Sequence, residues 1–164
     1  RHKLCVSTFE EMSTGSDFHR LLWDDAEFRP EVTNIKLCSD NKVKRVIICS
    51  GKIYYDLFEA REKLHRNDVY LLRVEQLYPY PEHAMNKELK RFNNAEFVWC
   101  QEEPKNMGAW SFINPLIDET LLSINVKQDR IRYIGRASAA STATGIAVNH
   151  KREQQSIIDN AFTK

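Results

Sequence analysis

The sequence predicts an α/β domain built on an open, mostly parallel sheet in a three-layer arrangement. Three observations predict it. Four short apolar runs, rich in Val, Ile, Leu and aromatic residues, recur between residues 44 and 134. The stretches between them carry apolar residues three or four apart, the repeat of a helix with one buried face. Regular alternation of strand and helix lays successive strands side by side, parallel, with helices on both faces.

The elements follow in order. Residues 1–43 are polar, with a loop signal at Ser13-Thr14-Gly15-Ser16, and are expected to form a connecting arm from a preceding domain. Within the arm, Phe18, Leu21 and Leu22 suggest one helical turn, Val32 to Leu37 a short edge strand, and Asp40-Asn41-Lys42 a turn. Trp23 and Phe28 argue against simple disorder. Residues 44–164 form the regular domain. Lys44 to Cys49 reads as a buried strand that ends at Ser50-Gly51. Ile53, Leu57, Phe58 and Leu64 mark a helix over 53–65, and Val69 to Val74 is the second strand, stopped by Pro79 and Pro81. Met85, Leu89 and Phe92 share a face of the next helix, and Glu96 to Cys100 is the third strand. Trp110, Ile113, Ile117, Leu121 and Ile124 mark a third helix, with Pro115 kinking it or sitting in its first turn. Arg130 to Ile134 is the fourth strand, and Lys151 to Phe162 a last helix that turns Ile157, Ile158, Ala161 and Phe162 inward.

Composition narrows the function classes. The 164 residues fit one domain, and a formal net charge of +1 gives no basic excess for nucleic acid. No apolar run approaches the roughly 18 residues of a membrane helix. The start, Arg1-His2-Lys3, has neither an initiator Met nor an apolar signal region, which suggests a piece of a longer chain. Cys5, Cys38, Cys49 and Cys100 match no zinc spacing and read as reduced core thiols.

In a sheet of this kind, the loops at the carboxyl ends of the strands form the functional rim. Ser50-Gly51-Lys52 there reads either as a helix start capped by Ser50 or as an anion site facing Lys52. Glu75, Glu102 and Glu103 offer carboxylates for acid–base work, or partners for Arg73, Lys52 and Arg136. Tyr78-Pro79-Tyr80-Pro81 is a rigid aromatic turn that packs on the next helix or on another subunit. The small-residue stretch from Gly135 to Gly145 covers the sheet end or admits a ligand, with Arg136 at its start able to hold a carboxylate or phosphate. Ser50, Lys52, Arg73, Glu75, Gln101, Glu102 and Arg136 are the candidate effector or interface residues. No catalytic residue and no metal ligand is assigned.

Four segments together carry a family resemblance. They are Cys49-Ser50-Gly51-Lys52 with Tyr54-Tyr55-Asp56-Leu57; Arg73-Val74-Glu75-Gln76-Leu77-Tyr78-Pro79 with Pro81; Trp99-Cys100-Gln101-Glu102-Glu103-Pro104 with Asn106 and Gly108-Ala109-Trp110; and Gly135-Arg136 with Ala140. In this order, and with Arg1-His2 and Val6 to Glu11 before them, they resemble the end of the decarboxylating first component of 2-oxoglutarate dehydrogenases. The resemblance spans essentially the whole chain. One departure is the absence of a Pro between Ser138 and Thr142, which bears on the conformation of that loop.

The resemblance implies a transketolase-like enzyme whose last α/β domain is this chain. It implies thiamine diphosphate and Mg²⁺ in the whole enzyme, bound through a Gly-Asp-Gly…Asn-Asn motif. This sequence has no Gly-Asp-Gly, and Asn93-Asn94 stands alone, so the fragment is expected to bind neither and to be inactive by itself. The implied reaction decarboxylates 2-oxoglutarate and passes succinyl to the lipoyl arm of the succinyltransferase. The implied partners are a second copy in a homodimer, the dihydrolipoyl succinyltransferase and dihydrolipoyl dehydrogenase. An acetyl-CoA or nucleotide effector would meet Lys52, Arg73 and Arg136; a stand-alone module of that kind, and the same domain of a 2-oxoadipate enzyme, remain the alternatives. The expected location is bacterial cytoplasm, or mitochondrial matrix in a eukaryote.

Overall fold

A computed structural model describes residues 20–28 and 30–163. Cys5, Phe18, the Ser13–Ser16 loop and the Arg1 to Glu11 part of the resemblance lie outside them, as does the side chain of Phe28.

Five strands form one sheet in the order β1-β3-β2-β4-β5. They are β1 (Leu21–Leu22), β2 (Arg45–Cys49), β3 (Val69–Val74), β4 (Glu96–Pro104) and β5 (Arg132–Arg136). β2 to β5 pair in parallel and β1 alone is antiparallel. Among these strands run α1 (Asp25–Phe28), α2 (Ile53–Lys63), α3 (Glu82–Leu89), α4 (Trp110–Ile124) and α5 (Ala147–Phe162). The predicted α/β architecture therefore holds. A parallel pair needs a long crossover, and here each crossover is a helix.

Two apolar layers flank the sheet. One joins Val46, Ile48, Tyr70, Leu72, Phe97 and Trp99 to α3 and α4. The other joins Ile47, Cys49, Leu71, Val98 and Cys100 to α2 and α5. Strands covered on both faces need continuous apolar runs, which is why β2 reads Val46-Ile47-Ile48-Cys49 without alternation. Phe92 is fully buried although α3 ends before it, at Leu89. α4 closes on Asn125 in the left-handed conformation that frees the chain to turn.

Several expectations are corrected. Leu21 and Leu22 form a strand, not a helical turn, because their backbone completes the free edge of β3. Val32 to Leu37 is not a strand: a 3-10 turn occupies Pro30–Val32, and β1 already takes that edge. Asp40–Lys42, by contrast, is a 3-10 turn, in keeping with the turn expected there. β4 runs on to Pro104 through an irregularity after Cys100, so Gln101 to Glu103 belong to the strand and not to a loop behind it. β5 starts at Arg132 rather than Arg130, and α5 starts at Ala147 rather than Lys151. Pro115 sits inside α4, beyond its first turn, where it withholds the donor that the Ser111 carbonyl would otherwise receive.

Candidate functional site: the carboxyl rim

The register places Arg73, Cys49, Cys100 and Ile134 in one row across β3, β2, β4 and β5. All the sequence-predicted rim residues follow this row or lie in it, so they share one end of the sheet. The chain leaves β2 toward β3 on one side, while β4 lies on the other. That reversal opens a crevice between β2 and β4, the usual place for a ligand in such sheets. The crevice has a volume of about 560 Å³, and its walls include Lys52, Leu77, Trp99, Glu102 and Phe112.

The turn from β2 into α2 depends on Gly51, whose φ of 71° is strained for residues with a side chain. Ser50 does not cap α2. The cap position falls to Lys52 and no side chain bonds there, which corrects that part of the sequence reading. The Lys52 ammonium instead donates to Glu102 Oε1 at 2.6 Å, and the Gln154 amide reaches the same oxygen at 3.1 Å. Lys52 thus enters the crevice already neutralised.

Gln101 is buried and fully engaged. Its Oε1 accepts from Trp99 Nε1 at 2.9 Å and from the Trp110 N–H at 3.1 Å. Its Nε2 faces the carbonyls of Glu103, Pro104 and Met107, the last at 2.8 Å. One amide therefore pins the 104–109 loop and caps the first turn of α4, a helix without a capping side chain of its own. Gly135 permits this closure, since a Cβ there would overlap the Tyr133 hydroxyl and the Gln101 carbonyl.

The two arginines of the rim are paired, although the buried Nε of each makes no hydrogen bond. Arg73 stacks on the Tyr54 ring at 4.1 Å and lies 3.9 Å from Glu75. Arg136 pairs with Glu153 at 3.3 Å and donates to His150 Nδ1 at 2.9 Å, while the Thr144 hydroxyl also donates to Glu153. The sequence reading set Arg136 against Glu75, Glu102 or Glu103; its partners come from α5 instead. Tyr80 of the aromatic turn meets the Thr120 hydroxyl on α4 at 2.9 Å, whereas Tyr78 points into solvent.

The thiols beneath the rim are poor nucleophiles. Burial pushes Cys49 well above its ordinary value and Cys100 up to about 12. Among the described residues, no group of three or more His, Cys, Asp or Glu could hold a metal ion. The described residues therefore give no cluster of ionisable ligands for the Mg²⁺ that accompanies thiamine diphosphate. What the rim offers chemically is paired charge, a crevice and exposed aromatic surface.

Sequence reasoning missed a second polar assembly, on the β1 side. Asp24 and Arg61 are fully buried and paired, and Asp24 also accepts the Leu71 N–H at 2.6 Å. Tyr54 donates to Asp25 at 2.6 Å, and Tyr70 to Glu88 at 2.6 Å. Burial and then the adjacent carboxylate raise both phenols far above their ordinary values, so they remain donors. Arg91 joins Glu88, Asp40 and Glu27. Arg45, also unremarked in the sequence, donates to the Ala161 and Thr163 carbonyls at the end of α5. Nothing in the local pattern marks these residues, since a lone charge in a polar stretch reads as surface.

Residues 6–162 match the family model described as 2-oxoglutarate dehydrogenase C-terminal. The 2-oxoglutarate dehydrogenase E1 component of Brucella anthropi is 56% identical over 162 residues, 99% of this chain and 16% of that protein. The Brucella ovis protein of the same name is 55% identical over the same shares. The chain thus spans about a sixth of the length of these relatives. A solved split-gene transketolase, an inactive beta4 tetramer, is similar with a TM-score of 0.49 and 13% identity, over 78% of this chain and 43% of that one.

Proposed function

This chain belongs to the 2-oxoglutarate dehydrogenase C-terminal family, and on that premise we propose that it is the closing domain of a thiamine-dependent E1 component that decarboxylates 2-oxoglutarate. One observation carries the reading: 56% identity is held over 99% of this chain. In this reading the thiamine diphosphate and Mg²⁺ are held by the longer protein outside this domain. The succinyl group then passes to the lipoyl arm of the succinyltransferase, with dihydrolipoyl dehydrogenase completing the complex. A homodimer and a bacterial cytoplasmic setting are proposed with it; no helix among the described residues is long and apolar enough to cross a membrane.

The domain's own contribution is scaffolding. Its buried polar assembly fixes residues 20–28 against the sheet, and its rim presents a partly exposed, paired surface to whatever lies beside it. An acetyl-CoA or nucleotide effector at the rim is proposed only for the crevice. There Lys52 stands at the start of α2, and an incoming phosphate would have to displace Glu102. Ser50, Arg73, Glu75, Gln101 and Arg136 then shape or support the rim.

The test is thiamine-dependent turnover by the full-length protein with an artificial electron acceptor. 2-Oxoglutarate is expected to be the preferred substrate over 2-oxoadipate and pyruvate, and the 164-residue chain alone is expected to give none. A preference for another 2-oxo acid, or turnover by the chain alone, would overturn the reading. Calorimetry with acetyl-CoA and AMP, repeated on Lys52→Ala, checks the effector part.

A further inference from the structure

We propose that the apolar face of the carboxyl rim, around Leu77, Tyr78 and Phe112, is the surface on which the preceding part of the same polypeptide docks. This rests on the family reading, in which the chain is the C-terminal domain of a protein about six times its length.

The first argument is where the backbone arrives. β1 is antiparallel, with Leu21 beside Val74 and Leu22 beside Arg73, so residue 20 stands at the carboxyl end of β3. The Arg20 carbonyl accepts both the Glu75 and the Gln76 N–H at 3.1 Å. Residue 20, the first of the described residues, therefore joins the chain before it at this rim. The strand it meets leads through Gln76 directly to Leu77, which lines the crevice together with Phe112.

The second argument is the surface itself. Tyr78 is 82% exposed and Phe112 43% exposed, and Leu77 and Ala109 are only partly covered. Contiguous open apolar surface marks a contact site far more often than a solvated one. The Lys52–Glu102 pair at its side supplies the polar margin usual for such a contact. The other end of the sheet differs. Its edge carries the Lys44–Asp68, Arg66–Asp68 and Arg132–Glu96 pairs between the exposed Leu64 and Leu122 at the ends of α2 and α4. The tether also raises the effective concentration of the preceding segment at the rim, which favours that occupant over an untethered one.

The experiment uses the full-length protein carrying Tyr78→Cys or, as a reference at the opposite end, Asn94→Cys. Maleimide modification at each position is followed by peptide mass spectrometry. The expected result is at least ~10-fold slower modification at position 78 than at position 94 in the native protein, with equal rates in denaturant. Phe112→Cys gives the same readout should Tyr78→Cys fail to fold. Equal native rates overturn the proposal. So does protection that disappears on dilution, which would assign the face to a second copy. Decarboxylation of 2-oxoglutarate by the unsubstituted protein is measured in parallel. Turnover without protection of the Tyr78→Cys thiol sinks the docking face and leaves the family reading intact; protection without turnover supports the docking face and sinks the reading.

Discussion

Asp24 and Arg61 meet with no exposure to solvent where residues 20–28 join the sheet, while Lys52 and Glu102 pair at 2.6 Å on the carboxyl rim with a third and a fifth of their side chains exposed. The charges match; the consequences do not. A buried pair costs desolvation twice, and each partner is tolerable only while the other remains. A rim pair loses little water on forming and yields little on breaking. The first assembly therefore holds the domain's geometry, and the second is free to exchange partners. The same kind of ion pair thus serves as a fixed joint in one place and an adjustable surface in the other.

The largest effect that could break this contrast is at Asp24. Asp24→Ala leaves the Arg61 guanidinium buried without its carboxylate and is expected to cost about 3–5 kcal/mol in urea unfolding. Asp24→Leu combined with Arg61→Met is expected to recover part of that loss, the remainder reflecting the orphaned Leu71 N–H. A cost below about 1 kcal/mol for Asp24→Ala would erase the distinction.

Next comes Gln101, which lies at the rim yet behaves as buried structure. Gln101→Ala strands the Trp99 and Trp110 donors and is expected to cost about 2–3 kcal/mol. Proteolysis should shift to residues 105–109, the loop that its amide holds.

Acid titration sharpens the comparison at the amino end of the sheet. Burial by itself would raise Glu96, but the hydrogen bonds from Arg132 and Arg45 outweigh it and hold the carboxyl below its ordinary 4.5. Asp68 is likewise raised by burial and lowered further by Arg66 and Lys44, ending below 3.8. For carboxyls depressed in the folded state, the stabilisation is complete above the unfolded value and vanishes as pH falls through the folded one. Unfolding free energy should therefore drop as pH falls below about 4.5, the ordinary Glu value. Glu96→Gln should flatten that slope, and an unchanged slope would show that the pairing carries no linkage.

The smallest effect is expected at the rim pair itself. Lys52→Ala should change stability by no more than about 1 kcal/mol, measured by the same urea unfolding. A larger loss would place Lys52 with the buried assembly.

Much of this domain could be read before folding. The run Val46 to Cys49 announced a strand covered on both faces, and Gly51 announced the turn behind it. The rim residues were grouped correctly at one end of the sheet because strand ends follow from chain order once the sheet is parallel. What each of them does there was not legible. Gln101 was taken for a candidate contact residue, and its role as a staple rests on atoms from Trp99 to Trp110 brought together by a strand irregularity. The arm was misread at Leu21 and Leu22 because two residues show no periodicity, and only the open edge of β3 makes them a strand.

By itself, then, the sequence determined the alternation of strands and helices, the faces they bury and the end at which their loops gather. These depend on side-chain size and on repeat lengths of about two and 3.6, both written locally in the chain. The tertiary structure alone decided which charges lie inside and whom they meet. Asp24 finds Arg61 across 37 positions, and Arg45 finds the end of α5 across more than a hundred. A charge in one dimension carries no mark of its burial, because the cost and the compensation arise only when distant segments close over both partners.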